Sequence, residues 1–198
     1  RDELVVPSVT WGLPAADIAY LRIPDFESDV PDLVTESLGE MAGSWSTMVV
    51  DLRDNPGGLV SSAMAVASEF IPDGPLFHEV YAGDSETPES YGPGGHATTG
   101  RLIVLVNEGT ASAAEILAGA LRDRRDALVI GTTTYGKDAI QIRFDLRNGG
   151  RLHVVVARWL TPEGSTVGNG GMVPDVELEL SDDMTIPELV DAALEAAR

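Results

Sequence analysis

The sequence predicts an α/β fold built from parallel β-α-β units. Short apolar runs typical of buried strands alternate along the chain with longer segments of helical period. The clearest buried run is RLIVLV at residues 101–106, and a strong helical segment separates it from the buried run ALVIG at residues 127–131. Two strands joined through a helix in this way run parallel, so the chain is assigned to the α/β class.

The first hundred residues predict two strands, two helices and a loop. Strands are indicated at residues 18–23 and 46–52, and helices at residues 29–43 and 58–71. The segment 82–100 is rich in Gly, Pro, Ser and Thr, so it predicts a mobile loop that can act as a lid. The first helix is amphipathic, with its inward positions at Val30, Leu33, Leu38 and Met41.

The last sixty residues predict a hairpin, a loop and a helix. Residues 139–146 and 151–160 are rich in β-branched and aromatic side chains, and the turn sequence NGG separates them, which is typical of an antiparallel hairpin. A glycine-rich loop follows at residues 161–178. The helix that ends the chain has Pro187 in its first turn, where proline is tolerated.

Composition excludes several classes of function. The 198 residues suit one main domain, and no apolar run approaches the roughly 18 residues that a membrane span needs. The chain has 32 acidic and 13 basic residues, a formal charge of −19, which disfavours nucleic acid and anionic membranes as partners because both bind through their phosphates. Since the chain has no cysteine, it has no disulfide and no thiolate nucleophile.

The stretch GTTTYGKD at residues 131–138 resembles a phosphate-binding loop but departs from it in two ways. Such a loop needs Ser or Thr after the lysine, and here Asp138 would place a carboxylate among the phosphates. The loop must also open into a helix, whereas the next residues have the pattern of a strand. Nucleotide binding is therefore not predicted, and Lys137 needs another role.

Ser112 and Lys137 follow consecutive parallel strands. The loops that leave parallel strands emerge at the same carboxyl edge of the sheet, so these two side chains can be neighbours. Ser112 also begins a helix, where main-chain N–H groups stabilise negative charge. The turn NPGG at residues 55–58 opens onto the same edge if its strand is parallel too, and its glycine amides can bind an oxyanion.

Activation of Ser112 requires a base. The three histidines, His78, His96 and His153, have no matching Asp at a recognisable spacing, and His153 lies inside a strand, so a Ser-His-Asp triad is disfavoured. Lys137 is the only lysine beside twelve arginines, and a neutral lysine amine can accept the serine proton.

These residues lie in motifs that resemble those of the C-terminal processing proteases, also called tail-specific proteases. NEGTASAAEILAGALRD is followed by VIGTTTYGKDAIQ, while DLRDNPGG and the pair WLTPEG and GMVPDVEL resemble further signatures of that family. The resemblance covers residues 5–178, with four motifs in the family's order. It implies a core of the crotonase and Clp-protease type, acting as a serine endopeptidase with a Ser-Lys dyad and no metal or organic cofactor.

The resemblance also assigns the site residues. It implies that Ser112 is the nucleophile, Lys137 the general base and Gln141 the third catalytic member. The main-chain amide of Ala113 would be one oxyanion donor. A glycine of the NPGG turn would supply the other, and the choice between Gly57 and Gly58 stays open.

The chain departs from the family pattern at three positions. Thr110 and Ala114 replace two serines that flank the nucleophile, and Asp138 replaces the glycine after the lysine. A carboxylate at position 138 would favour the charged lysine unless it points away, as alternation along a strand predicts. Three further residues are interpreted as structural: Glu115 as a helix first-turn acid, and Asp51 and Arg53 as an ion pair or a cap.

The family carries a PDZ domain that captures substrate tails, whereas residues 1–198 are expected to be the catalytic core without it, with a linker strand at residues 1–16. The implied substrate is a protein or peptide with a free C-terminus, and the implied location is the cell envelope, the periplasm or the exterior. Two alternatives stay open. One is a catalytically silent scaffold that binds peptides or apolar ligands, and the other is an acyl-CoA enzyme of related fold.

Overall fold

The chain forms two β-sheets and four helices in a computed structural model, which describes residues 8–83, 86–92, 94–168, 170–181 and 183–198. The strands are β1 (Thr10–Ala15), β2 (Asp17–Arg22), β3 (Trp45–Asp51), β4 (Phe77–Tyr81), β5 (Glu86–Glu89), β6 (Arg101–Val106), β7 (Leu128–Gly131), β8 (Ala139–Asp145), β9 (Arg151–Leu160) and β10 (Val176–Glu177). The helices are α1 (Val30–Glu40), α2 (Val60–Phe70), α3 (Ala113–Arg125) and α4 (Ile186–Ala196).

The main sheet has the strand order β1-β2-β3-β6-β7-β10 and is parallel from β2 onward. Only β1 is antiparallel, pairing with β2 at the edge. The central strands are continuous apolar runs because helices cover both faces of the sheet. Strands β3, β6 and β7 therefore end at one edge, as the β-α-β reading predicted.

Alternation along each central strand divides the core into two clusters. Val50 and Val104 face α1, α2 and α3, and all of these elements contribute to one large buried cluster. Val49 and Ile103 face the other way and pack against Leu189 of α4. The sheet is thus the middle of three layers, and each fully buried aliphatic side chain contributes about 1.5–3 kcal/mol.

The second sheet is antiparallel, with the order β5-β4-β9-β8. Its β8-β9 hairpin has the predicted strands, and Trp159 and Phe77 anchor the sheet by packing into the larger core cluster. The pairing register shifts between Ile140 and Gln141, whose partners are Ala157 and Val155, so the extra residue Val156 marks a bulge in β9.

The prediction of a mobile loop at residues 82–100 is wrong in part. Strand β5 lies within it and pairs with β4, and neither strand was predicted. Pro88 weakens the strand signal, but an edge strand tolerates proline. Ala97 is buried, and its N–H donates to the carbonyl of Glu69 at 2.9 Å, so this end of the segment is anchored to α2.

Other details also differ from the sequence reading. Val34 rather than Leu33 is a buried position of α1. The proposed linker at residues 1–16 lies outside the described residues up to residue 7, and from Thr10 it forms β1. In the described part of the chain, the helices are too short or too polar to cross a membrane.

Candidate active site

Three loops meet at the carboxyl edge of the main sheet, following β3, β6 and β7. Main-chain and hydroxyl hydrogen bonds join them. The N–H of Ala111 donates to the carbonyl of Asn55 at 2.9 Å, and the N–H of Tyr135 donates to that of Thr110 at 3.0 Å. The Thr110 hydroxyl donates to the carbonyl of Leu52 at 2.8 Å, so the residue that replaces a family serine still ties two loops together.

Ser112 lies where the loop after β6 turns into α3. Its backbone has φ 55° and ψ −117°, a conformation that costs a residue with a side chain about 1–3 kcal/mol. A Cβ added to Gly57 would lie 2.9 Å from Cβ of Ser112 and 2.8 Å from the carbonyl oxygen of Ala111. The close approach of the two loops therefore requires glycine at position 57.

The two candidate oxyanion glycines differ in their hydrogen bonds. The N–H of Gly57 is engaged, because it donates to Oδ1 of Asn55 at 2.8 Å. For the N–H groups of Gly58 and Ala113, no hydrogen-bond partner is found among the described residues. Gly58 also lines the cleft that contains Ser112. The geometry therefore favours Gly58 and Ala113 as the pair of available donors.

Ser112, Lys137 and Gln141 line one cleft of about 560 Å³. The Lys137 main chain is held on both sides of its Cα, since its N–H donates to Glu115 at 2.9 Å and its carbonyl accepts from Nε1 of Trp159 at 3.1 Å. No carboxylate pairs with the Lys137 ammonium within the part of the chain that the structure describes.

Asp138 is directed toward β9. Its Oδ2 accepts a hydrogen bond from Nη1 of Arg158 at 2.5 Å, and the residue is 8% exposed. Its carboxylate packs so closely against Gly168 that a Cβ there would meet Oδ2 at 2.1 Å. Asp138 does not line the cleft, so its orientation agrees with the alternation expected along a strand.

Glu115 joins the two loops that carry Ser112 and Lys137. It is fully buried, and its Oε2 accepts from the N–H of Ser112 at 2.8 Å and of Lys137 at 2.9 Å. Its Oε1 accepts from the N–H of Gly136 at 2.8 Å and the hydroxyl of Thr134 at 2.5 Å. The interpretation as a helix first-turn acid missed this role. The spacing S-x-x-E of a capping box signalled only the bond to Ser112.

The predicted Asp51–Arg53 ion pair is present beneath this edge. Nε and Nη2 of Arg53 donate to the two carboxylate oxygens at 3.0 and 2.9 Å. The hydroxyl of Tyr20 donates to Oδ2 of Asp51 at 2.7 Å. Burial, followed by the negative charge of Asp51, raises the pKa of Tyr20 well above its ordinary value, which keeps the phenol a donor.

The three histidines lie in different places. His96 pairs with Glu69 at 2.5 Å, and His78 contacts Pro162 at 3.3 Å and Glu86 at 2.8 Å, all away from the cleft. His153 does line the cleft, although its position inside a strand had suggested a structural imidazole. The hairpin register brings it there, and no local pattern reveals this.

Residues 17–178 match the model of peptidase family S41. A carboxyl-terminal-processing protease of Synechocystis is 36% identical over 84% of this chain and 39% of its own length. The chloroplastic carboxyl-terminal-processing peptidase 2 of Arabidopsis thaliana is 38% identical over 86% of this chain and 33% of its own length. This chain thus spans less than half the length of either relative.

A solved structure of the photosystem II D1 C-terminal processing protease superposes with a TM-score of 0.80. It is 30% identical and covers 99% of this chain, which covers 53% of that one. The match confirms the predicted α/β class and is consistent with a core of the crotonase and Clp-protease type.

Proposed function

Since this chain belongs to peptidase family S41, we propose that it is the catalytic core of a serine endopeptidase that cleaves proteins near their C-termini through a dyad of Ser112 and Lys137. The observation that carries the proposal is one cleft lined by Ser112, Lys137 and Gln141, with two main-chain amides, of Gly58 and Ala113, that have no partner among the described residues. Relatives named as carboxyl-terminal-processing proteases support the reaction class and the type of substrate.

The first chemical step is attack on the peptide carbonyl. The neutral amine of Lys137 removes the proton from Oγ of Ser112, and Oγ forms a bond to the carbonyl carbon. Negative charge then develops on the carbonyl oxygen. The N–H groups of Gly58 and Ala113 stabilise that charge, supported by the positive end of the α3 dipole.

The second step releases both products. The ammonium of Lys137 donates its proton to the leaving nitrogen as the peptide bond breaks, which leaves an acyl-enzyme on Ser112. The same amine then deprotonates a water molecule, which attacks the acyl carbon. As the bond from that carbon to Oγ breaks, the ammonium returns the proton to Oγ, which frees the acid product and restores the hydroxyl. Gln141 has a side-chain amide oxygen that can accept a hydrogen bond from the Lys137 amine and so orient it.

The silent scaffold has less support. One of its two grounds, beside the expected lack of a PDZ domain, was that Asp138 could hold Lys137 in the charged form, but that carboxylate pairs with Arg158 instead. An acyl-CoA enzyme would not need a serine and a lysine in one cleft. A location in the cell envelope or outside the cell, as the family resemblance implies, stays a prediction.

Cleavage of an unstructured protein, followed by mass spectrometry, tests the proposal. We expect Ser112→Ala and Lys137→Ala each to lower the rate by roughly three orders of magnitude or more. Lys137→Arg keeps the positive charge but cannot deprotonate, so it should be as inactive as Lys137→Ala. Ser61→Ala, at an exposed position of α2, is the matched control and should keep the parent rate.

Two outcomes would contradict the dyad. Cleavage that persists in Ser112→Ala would exclude this serine as the nucleophile. A Lys137→Arg variant that retains activity would show that the side chain supplies positive charge rather than accepting a proton.

A further inference from the structure

His153 faces the cleft that contains Ser112. It lies on β9 two residues before Val155, the register partner of Gln141, so the side chains of His153 and Gln141 project from the same face of the hairpin. Both residues line the cleft and both are exposed. Among the described residues, the imidazole has no hydrogen-bond or ion-pair partner.

The cleft differs in charge from the rest of the molecule. Its described lining contains the basic residues Lys137 and His153 and no Asp or Glu, although the chain carries a formal charge of −19. Two carboxylates whose sequence neighbours line the cleft are already engaged, Asp138 by Arg158 and Glu115 by main-chain amides. An imidazole there is therefore available to a group supplied by a ligand.

A second cleft at the same edge of the sheet shows the contrast. It has a volume of about 390 Å³, and its lining includes Asp54, Glu108 and Glu179 beside Arg53. Acidic side chains thus line one cleft at this edge, whereas none is found among the described residues that line the cleft with His153. A carboxylate placed beside His153 meets a hydrogen-bond donor without a competing acid in the described lining.

We propose that His153 is a specificity-determining residue that binds a carboxylate of the substrate next to the scissile bond. The inference rests on the proposed peptidase function and adds the chemistry of the preferred substrate. The carboxylate has two sources, an Asp or Glu side chain or the free C-terminal α-carboxylate of the polypeptide. The negative surface around the cleft repels acidic chains, so a single carboxylate in an otherwise neutral peptide is preferred over several.

Matched peptides test the proposal. Four peptides with an otherwise uncharged and identical sequence are compared, with Glu or Gln at a position next to the scissile bond and with a free or an amidated C-terminus. The parent should show a kcat/KM roughly threefold to fivefold higher for one carboxylate-bearing member than for its uncharged counterpart, the range for one exposed hydrogen bond. A preference for Glu over Gln identifies a side-chain carboxylate as the source, and a preference for the free over the amidated C-terminus identifies the α-carboxylate.

Substitutions then assign the preference to His153. His153→Ala should bring the ratio to about one, and His153→Glu should invert it through like-charge repulsion. Arg151→Ala is the matched control, because it removes an exposed basic side chain two residues away on the same strand outside the cleft. It should leave the ratio unchanged.

The outcomes separate this inference from the proposed function. If the parent cleaves the peptides and Ser112→Ala does not, an equal ratio in the parent and His153→Ala overturns the specificity role alone. If no peptide is cleaved, fluorescence anisotropy with the labelled peptides and Ser112→Ala decides. Tighter binding of a carboxylate-bearing peptide, lost when His153→Ala is added, supports the inference, and equal affinities overturn it.

Discussion

The buried carboxylate of Glu115 fixes the positions of the two proposed catalytic residues relative to each other. Its two oxygens accept four hydrogen bonds from the loops that follow β6 and β7, and no solvent reaches it. Burying a carboxylate is costly unless its oxygens are saturated with donors, and here they are. A small displacement of either loop would leave this carboxylate unsatisfied, so Glu115 holds Ser112 and Lys137 in register.

Replacing Glu115 by Gln should both destabilise the fold and slow cleavage. An amide keeps one acceptor oxygen but turns an NH₂ group toward main-chain N–H donors, so we expect a loss of about 2–4 kcal/mol in the free energy of unfolding. Urea unfolding measures the stability, and kcat measures the displacement of the dyad. Glu108→Gln is the matched control, since exposed Glu108 joins the same two loops through Thr132 at 3.0 Å. Equal effects of the two substitutions would contradict the role of Glu115.

At the scale of elements, the end of the supposed lid is attached to α2. Glu69 of α2 accepts a hydrogen bond from the main-chain N–H of His96 at 3.2 Å, contacts Nδ1 of its imidazole at 2.5 Å and accepts one from the Thr35 hydroxyl at 2.9 Å. Burial acts to raise the pKa of Glu69, but hydrogen bonds from His96 and Thr35 outweigh it and place the pKa below its ordinary value of 4.5. The carboxylate therefore stabilises the folded state only while it is ionised.

The substitution Glu69→Gln should change how the free energy of unfolding depends on pH. A carboxyl whose folded pKa is lowered stabilises the protein above its unfolded pKa and loses that contribution as the pH falls through the folded pKa. The parent should exceed Glu69→Gln in stability near neutral pH, and the difference should shrink once the pH falls below 4.5. Denaturant unfolding across that range measures it, with exposed Glu36→Gln as the control. A difference that does not change with pH would refute the assignment.

At the scale of the whole molecule, the packing of α4 and the cleft with Ser112 lie in different layers of the fold. Helix α4 covers the face of the sheet opposite α1, α2 and α3, and none of its residues lines the cleft with Ser112. Leu189 of α4 is 2% exposed and packs against Tyr20 and Val49. A side chain on this face can therefore be truncated without removing a contact to the proposed catalytic residues.

Leu189→Ala should therefore lower stability and spare activity. A leucine truncated in a packed core costs about 2–5 kcal/mol, partly through the cavity that remains. We expect a lower midpoint of urea unfolding, while kcat/KM stays near the parent value at a temperature where the variant is folded. Glu195→Ala, at an exposed position of the same helix, should change neither. A large loss of kcat/KM in folded Leu189→Ala would show that the two layers are coupled.

Connectivity and local pattern were enough to predict the parallel strands and the placing of the loops with Ser112 and Lys137 at one edge of the sheet. Two buried parallel strands joined through a helix take a right-handed crossover. That geometry brings the loops that follow the two strands to the same edge of the sheet. The hairpin was also predictable, because a short turn and strand periodicity are properties of neighbouring residues.

Contacts between residues distant in sequence could be found only in the folded chain. The three bonds that Glu115 accepts from Thr134, Gly136 and Lys137 and the place of His153 in the cleft depend on how separate loops and strands are placed in space. Strand β5 was missed for the same reason, since its pairing with β4 outweighs a weak local preference. Periodicity records which side of an element is buried, whereas the partners of a buried polar group are set by packing between elements.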